Sequence, residues 1–287
     1  MTNCIDHFVN VNGIRMHYIE WPGGEPTVLV VHGLSANARS AGAIIDSLAG
    51  RYRVIAPDMR GRGESDKKGP YGVKTHVRDL EDLLNILKID KVIYIGESMG
   101  ANLGLQFSVT CPNRVSRLVL GDAGGLTSDR SEKEKLLQSL QASLARLGAV
   151  YPSREAYIDF WKSNPVFKNI WTKYFQDFLE ADIEVLADGT ARTKASKEAC
   201  DYDVNDMTNN FDYESLYPEV TCPTLLLRAP KGIFKETDYV LPPDVAQKIV
   251  SSIPNCRLYE AEGTNHYTIF FVEQPNMIKE IFRFIEE

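Results

Sequence analysis

Gly96-Glu97-Ser98-Met99-Gly100 sets a serine between two glycines, where the apolar run "KVIYI" ends and the helical stretch "ANLGLQFSV" begins. Glycines at these offsets permit a turn tight enough to push the central side chain outward on a strained backbone. A serine hydroxyl is a weak nucleophile, so the position does chemistry only where a base, an orienting acid and an oxyanion site converge on it. The reaction such a set supports is acyl transfer.

The base must come from five histidines. His7 and His17 fall in an opening hairpin, and His76 at the start of a helix. His32, in "VVHGLS", reads as a buried loop-building residue that hydrogen-bonds backbone. His266, in "EAEGTNHYTIF", follows the last strand run and shares the carboxyl edge of the sheet with Ser98, the edge where ligands collect in open α/β sheets. It is the expected base.

For the acid, Asp122 in "LVLGDAGG" ends the strand after the nucleophile's helix, with glycines behind it that let the chain turn. Asp238 and Glu236, in the turn after "PTLLLR", are the reserves. Two preorganised donors are needed for the oxyanion, and the backbone N–H groups of Leu34 and Met99 are placed to supply them.

Such residues need elements that hold them. Asn12-Gly13 between "HFVNV" and "IRMHYIE" predicts a β-hairpin. The runs "TVLVV", "YRVIAP", "KVIYI", "VSRLVL", "PTLLLR" and "CRLYEA" then read as strands buried on both faces of a parallel sheet. Helical periods lie between several of them, as in "VRDLEDLLNILK", where Val77, Leu80, Leu83, Leu84 and Leu87 share a face. The prediction is an α/β fold with a doubly wound, mostly parallel, eight-stranded sheet. The alternation fails over 124–213, which reads as an inserted helical cap without strands. Its first helix opens on a Ser131-x-x-Glu134 capping box, and its second carries Trp171, Tyr174, Phe175, Phe178 and Leu179. The core is then 1–123 with 214–287.

A chain of 287 residues, 44% hydrophobic and with net charge -7, buries a large core and lacks the basic surface of a nucleic-acid binder. Five scattered cysteines form no C-x-x-C pair, so no disulfide framework or zinc knuckle is expected, and a reducing cytoplasm fits. No apolar run reaches the length of a membrane span, and "MTNCIDHF" has no basic segment followed by an apolar core, so a soluble, unexported protein is expected. The expected partner is a small-molecule substrate; oligomeric state is left open, a homodimer included. Without a dinucleotide fingerprint, P-loop or H-E-x-x-H, no cofactor or metal is expected.

In this order, "HGLS", "DMRGRGESD", "GESMG" and "GTNH" resemble the α/β-hydrolase superfamily over nearly the whole chain. The resemblance implies an α/β-hydrolase fold with a cap and no cofactor. An aspartate placed like Asp122 is similar to that of small-molecule amide hydrolases such as N-formylmaleamate deformylase and 2-(acetamidomethylene)succinate hydrolase, and of some lactonases. Haloalkane dehalogenases and epoxide hydrolases of this superfamily carry an aspartate where Ser98 stands, which excludes their alkyl-ester chemistry.

The leading expectation is a serine hydrolase of a small ester or amide. A lactone or C–C bond hydrolase with the same residues, or a ligand receptor on the same scaffold, are the alternatives. One or two of the cap aromatics, Trp161 and Trp171 foremost, are expected to roof the pocket. An arginine there would select a carboxylate by bidentate pairing. Arg39 is the first candidate, followed by Arg130, Arg154, Arg192 and Arg228.

Overall fold

In a computed structural model of the chain, residues 4–126, 130–165, 167, 171–233 and 238–287 are described. Asn12 and Gly13 both have positive φ, 39° and 79°, and turn β1 (Ile5–Val11) into β2 (Ile14–Trp21) with Val11 opposite Ile14. Strand and helix then alternate: β3 (Gly24–Val31), α1 (Gly42–Leu48), β4 (Tyr52–Pro57), α2 (Val73–Ile86), β5 (Val92–Glu97), α3 (Met99–Thr110) and β6 (Val115–Gly121).

The excursion that follows holds α4 (Arg130–Leu144), α5 (Arg154–Ser163), α6 (Lys173–Asp182), β7 (Ile183–Val185), β8 (Ala191–Thr193), α7 (Lys197–Asn209) and α8 (Tyr213–Leu216). The chain returns through β9 (Thr224–Arg228), α9 (Pro243–Ser252), β10 (Cys256–Glu260), α10 (Thr268–Phe271) and α11 (Pro275–Glu286).

The eight-stranded sheet has the order β1-β2-β4-β3-β5-β6-β9-β10. β2 runs antiparallel to both β1 and β4, and the remaining pairs are parallel. Alternate residues of each central strand enter opposite cores, as strands covered on both faces must. Val30, Ile93, Ile95, Val119 and Leu225 pack with Ile44 and Ile45 of α1 and Ile281 and Phe284 of α11. Leu29, Val31, Tyr94, Leu118 and Leu226 pack with Leu80 and Leu84 of α2, Leu103 and Phe107 of α3, and Ile249 of α9. A third cluster, Tyr157, Trp161, Phe167, Phe175, Phe178 and Leu179, ties α5 and α6 to Phe271 of α10.

Two details correct the reading of 124–213. The segment is not wholly helical: β7 and β8 pair in a small antiparallel sheet, turned at Asp188-Gly189, where Gly189 has φ +84° and the Asp188 carboxylate accepts from the Thr190 N–H. Strands of three residues are too short for a period-two pattern to register. Ser131 is the second residue of α4 and so lies inside the helix, beyond the capping position. The expected boundary at Tyr213 coincides with the start of α8, and the Tyr213 ring is buried in the core shared with α3 and α9.

Candidate active site

The turn from β5 into α3 is as tight as the two glycines allow. A Cβ on Gly96 would lie 2.3 Å from the Gly100 carbonyl oxygen, and one on Gly100 would lie 2.0 Å from the Val31 oxygen. Between them Ser98 has φ 53° and ψ −115°, a left-handed conformation that costs a non-glycine residue roughly 1–3 kcal/mol. Its amide is tied to the Gly121 carbonyl at 2.8 Å, which anchors the bend to β6.

His266 reaches this serine from beyond β10. Its Nε2 lies 3.0 Å from Ser98 Oγ, and its Nδ1 lies 2.7 Å from Asp122 Oδ2. Asp122, just past β6, is itself held in a left-handed conformation at φ 48°. Its other oxygen accepts from the Ala229 N–H at 2.8 Å, and its own amide donates to Leu227 at 2.7 Å, so β9 fixes the carboxylate on both sides. With Asp122 as acceptor, the imidazole proton sits on Nδ1 and Nε2 is free to accept from Ser98.

The four other histidines are engaged elsewhere: His7 with Glu20, His17 with Asp58 and Asp6, and His76 with Asp203. His32 is fully built into the loop, its Nδ1–H donating to the Gly33 carbonyl at 2.7 Å and its Nε2 accepting from the Met59 N–H at 2.9 Å. Burial lowers its pKa to about 4, so it is neutral at pH 7. Because a trans peptide points its C=O and N–H in opposite directions, anchoring Gly33 O on His32 turns the Leu34 N–H away from it. The Leu34 carbonyl in turn accepts from Arg62 Nε at 2.8 Å. Met99 is the first residue of α3, so its N–H has no partner within the helix.

The motif "DMRGRGESD" is a brace for this loop. Asp58 Oδ1 accepts from the Ala38 N–H at 2.8 Å, and Arg62, wholly buried, pairs with Asp203 of α7 at 2.6 Å. Burial works against the Asp203 charge, but His76 and Arg62 outweigh it and lower the pKa to about 2.

A cavity opens over Ser98, lined by Gly33, Leu34, Glu97, Leu144, Arg146, Trp161, Phe167, Phe175, Phe178, His266 and Phe271 among others. Four cap aromatics line it where one or two were expected. Trp161 is one of them. Trp171 is not: it packs edge-on against Phe175, with ring centroids 5.3 Å apart, and meets Lys162. Arg39 is also outside the cavity lining, its guanidinium 3.9 Å from the Asp6 carboxylate and beside Cys4.

Arg154 pairs with Glu180, Arg192 with Glu184 and Arg228 with Glu260, and none of the three borders the cavity. The Arg130 side chain and Glu236 lie outside the described residues. Asp238 accepts from Ser139 Oγ of α4 at 3.3 Å.

Two ionisable lining residues, Arg146 and Glu97, were given no role from the sequence. Arg146, just past α4, is 8% exposed; its Nη2 donates to Ser35 O and Oγ at 3.2 and 3.1 Å, and its guanidinium lies 4.9 Å from the centre of the Trp161 ring. Its Nε and Nη1 have no hydrogen-bond partner among the described residues. Glu97 is buried beside the nucleophile and accepts from Ser40 Oγ at 2.6 Å and from the Gly33 N–H.

Burial raises the Glu97 pKa, and the Ser40, His266 and Gly33 contributions only partly offset it. The folded chain therefore holds this proton to higher pH than the unfolded chain, and the associated stability is lost as pH rises from the ordinary glutamate range. Glu97→Gln keeps an acceptor for Gly33 and removes the charge. Its melting temperature should match wild type near pH 4 and exceed it increasingly toward pH 7. Thermal melts across that range check this, and a variant less stable at pH 7 than wild type would contradict it.

Among the described residues no group of three or more His, Cys, Asp or Glu is placed to hold a metal ion, and no helix is long and apolar enough to cross a membrane. A family model for the alpha/beta hydrolase fold matches residues 26–272. The chain belongs to the α/β-hydrolase family.

Among solved α/β-hydrolases, E-2-(acetamidomethylene)succinate hydrolase matches with TM-score 0.85 at 22% identity, over 99% of this chain and 100% of that one. N-formylmaleamic acid deformylase from Pseudomonas putida S16 matches with TM-score 0.72 at 21% identity, over 97% and 100%. These likenesses speak to the fold. A 2-hydroxy-6-oxo-6-(2'-aminophenyl)hexa-2,4-dienoic acid hydrolase of Metapseudomonas resinovorans is 38% identical over 133 residues, 45% of this chain and 46% of that protein. An uncharacterized protein of Mycobacterium bovis is 35% identical over 151 residues, 51% and 44%. The chain thus aligns with less than half the length of either curated relative.

Proposed function

We propose that this α/β-hydrolase is a serine hydrolase that cleaves a small carboxylic ester or amide through an acyl-enzyme. The observation that carries the reading is the unbroken chain Ser98 Oγ–His266 Nε2, His266 Nδ1–Asp122 Oδ2, with both links at hydrogen-bond distance.

Ser98 Oγ attacks the carbonyl carbon as its proton passes to His266 Nε2, and Asp122 stabilises the imidazolium. The Leu34 and Met99 amides receive the oxyanion, each worth about 10²-fold or more in rate. Collapse breaks the bond to the leaving oxygen or nitrogen, which takes the proton from His266. Water, deprotonated by the same ring, then releases the acid and regenerates Ser98. The aromatic roof excludes bulk water, which strengthens each of these polar contacts. A reducing, cytoplasmic setting suits the five cysteines, all of them free.

A fluorophosphonate probe tests the reading directly. Mass spectrometry of the labelled protein should place the adduct on Ser98, and His266→Ala should slow labelling by orders of magnitude. A protein that resists the probe would overturn the proposal. Labelling without turnover on a broad ester and amide panel would favour a receptor on the same scaffold.

A further inference from the structure

Two cavities meet at the nucleophile. Ser98, Leu34 and Leu140 line both. The first holds His266, the aromatic cluster and Arg146. The second is walled by Leu126, Leu136, Val204, Met207 and Val240, and among the described residues it has no charged lining side chain. Asn102, Thr208 and Tyr213 add its neutral polar atoms beside Ser98.

The serine-hydrolase reading gives these lobes different tasks. Breaking the acyl bond requires the protonated His266 Nε2 to reach the leaving atom. His266 borders the first cavity and not the second, so the leaving group belongs in the first and the acyl chain in the second.

Arg146 then decides what the leaving group carries. A buried guanidinium with unmet N–H donors needs an acceptor, and a planar carboxylate matches adjacent guanidinium donors two at a time. Among the described residues no ion pair joins Arg146 to a carboxylate, and two of its guanidinium nitrogens lack a hydrogen-bond acceptor. Glu97, the acidic residue on the same cavity, is engaged by Ser40 and Gly33 at the oxyanion loop. The Trp161 face behind the guanidinium holds it in place.

Resting on that reading, we infer that the substrate is an ester or amide joining an apolar acyl group to a hydroxy- or amino-carboxylic acid, whose carboxylate is received by Arg146. Acylation forms the Ser98 Oγ–carbon bond, breaks the carbon–oxygen or carbon–nitrogen bond and moves one proton from Ser98 through His266 to the departing acid. Hydrolysis consumes one water and releases the apolar acid.

Three matched esters test this: the hexanoyl ester of 4-hydroxybutanoate, its methyl-capped neutral form, and the reversed hemiester monohexyl succinate. The first should have kcat/KM about 100-fold above each of the others, in line with losing a charge-assisted pair inside a buried site. Arg146→Met should erase that ratio mainly through KM, leave the neutral ester within a few-fold of wild type and keep fluorophosphonate labelling of Ser98. Arg146→Lys should recover part of it.

Equal rates on all three esters in wild type, or preference for the reversed hemiester, would overturn the inference. So would an Arg146→Met variant that loses neutral and anionic turnover alike while still labelling, because that is the signature of a purely structural arginine. Absence of labelling in wild type is a different failure: it removes the serine-hydrolase reading and this inference with it.

Discussion

Ser98→Ala should lower kcat by roughly 10⁶-fold, to the level set by binding and the oxyanion donors alone. The change removes one oxygen and nothing that shapes the bend. Alanine keeps the Cβ, so the strain of φ 53° is unchanged, and the amide still donates to Gly121. His266 Nε2 loses the hydroxyl that donates to it, but the ring stays fixed through Asp122, 2.7 Å away. Arg146 and the Leu34 loop are untouched.

The variant should therefore melt within a few degrees of wild type and retain its ligand, which makes it suitable for calorimetry and for trapping intact substrate. Turnover within tenfold of wild type would show that the nucleophile lies elsewhere. Co-purified wild-type activity is excluded by titrating active sites with the fluorophosphonate probe.

The parts of the fold that could be read in advance are those whose burial is written locally. Strands covered on both faces carry continuous apolar runs, so "YRVIAP" coincides with β4, and Asn12-Gly13 turns an antiparallel hairpin as its turn chemistry predicts. The meeting of Ser98, His266 and Asp122 followed from topology, because each follows a strand whose carboxyl end faces the same edge. Arg146 was not legible. It sits in "LARLG", just past an amphipathic helix, where an arginine is ordinarily solvated; only the docking of the cap brings it to Ser35 and Trp161.

Trp161 and Trp171 are likewise indistinguishable by type, and the packing of α5 against α6 decides which one faces the cavity. The error with Arg39 has a similar origin. It lies close in sequence to the Leu34 loop, but Asn37 Oδ1 accepts the Arg39 N–H at 3.0 Å and the side chain leaves on the Asp6 side. Proximity along the chain carried no information about direction.

Asp122→Asn should cost about 10⁴-fold in kcat with little change in KM, the size expected when a histidine is held in the wrong tautomer. The surroundings dictate how the amide must sit. The Ala229 N–H donates to Oδ1, so the asparagine oxygen has to occupy that position and its NH₂ group faces His266 Nδ1. Nδ1 then becomes an acceptor, the ring proton moves to Nε2, and the nitrogen that should accept from Ser98 is already protonated.

Fold and ligand affinity should survive, since both hydrogen bonds are kept with one reversed. Asp238→Asn, at a carboxylate that accepts from Ser139 and stands outside the Ser98–His266–Asp122 chain, should leave kcat within about twofold. If instead the Asp238 variant loses orders of magnitude and the Asp122 variant does not, the orienting carboxylate is on the β9 turn, and the short Asp122–His266 contact is a resting arrangement that the working enzyme abandons.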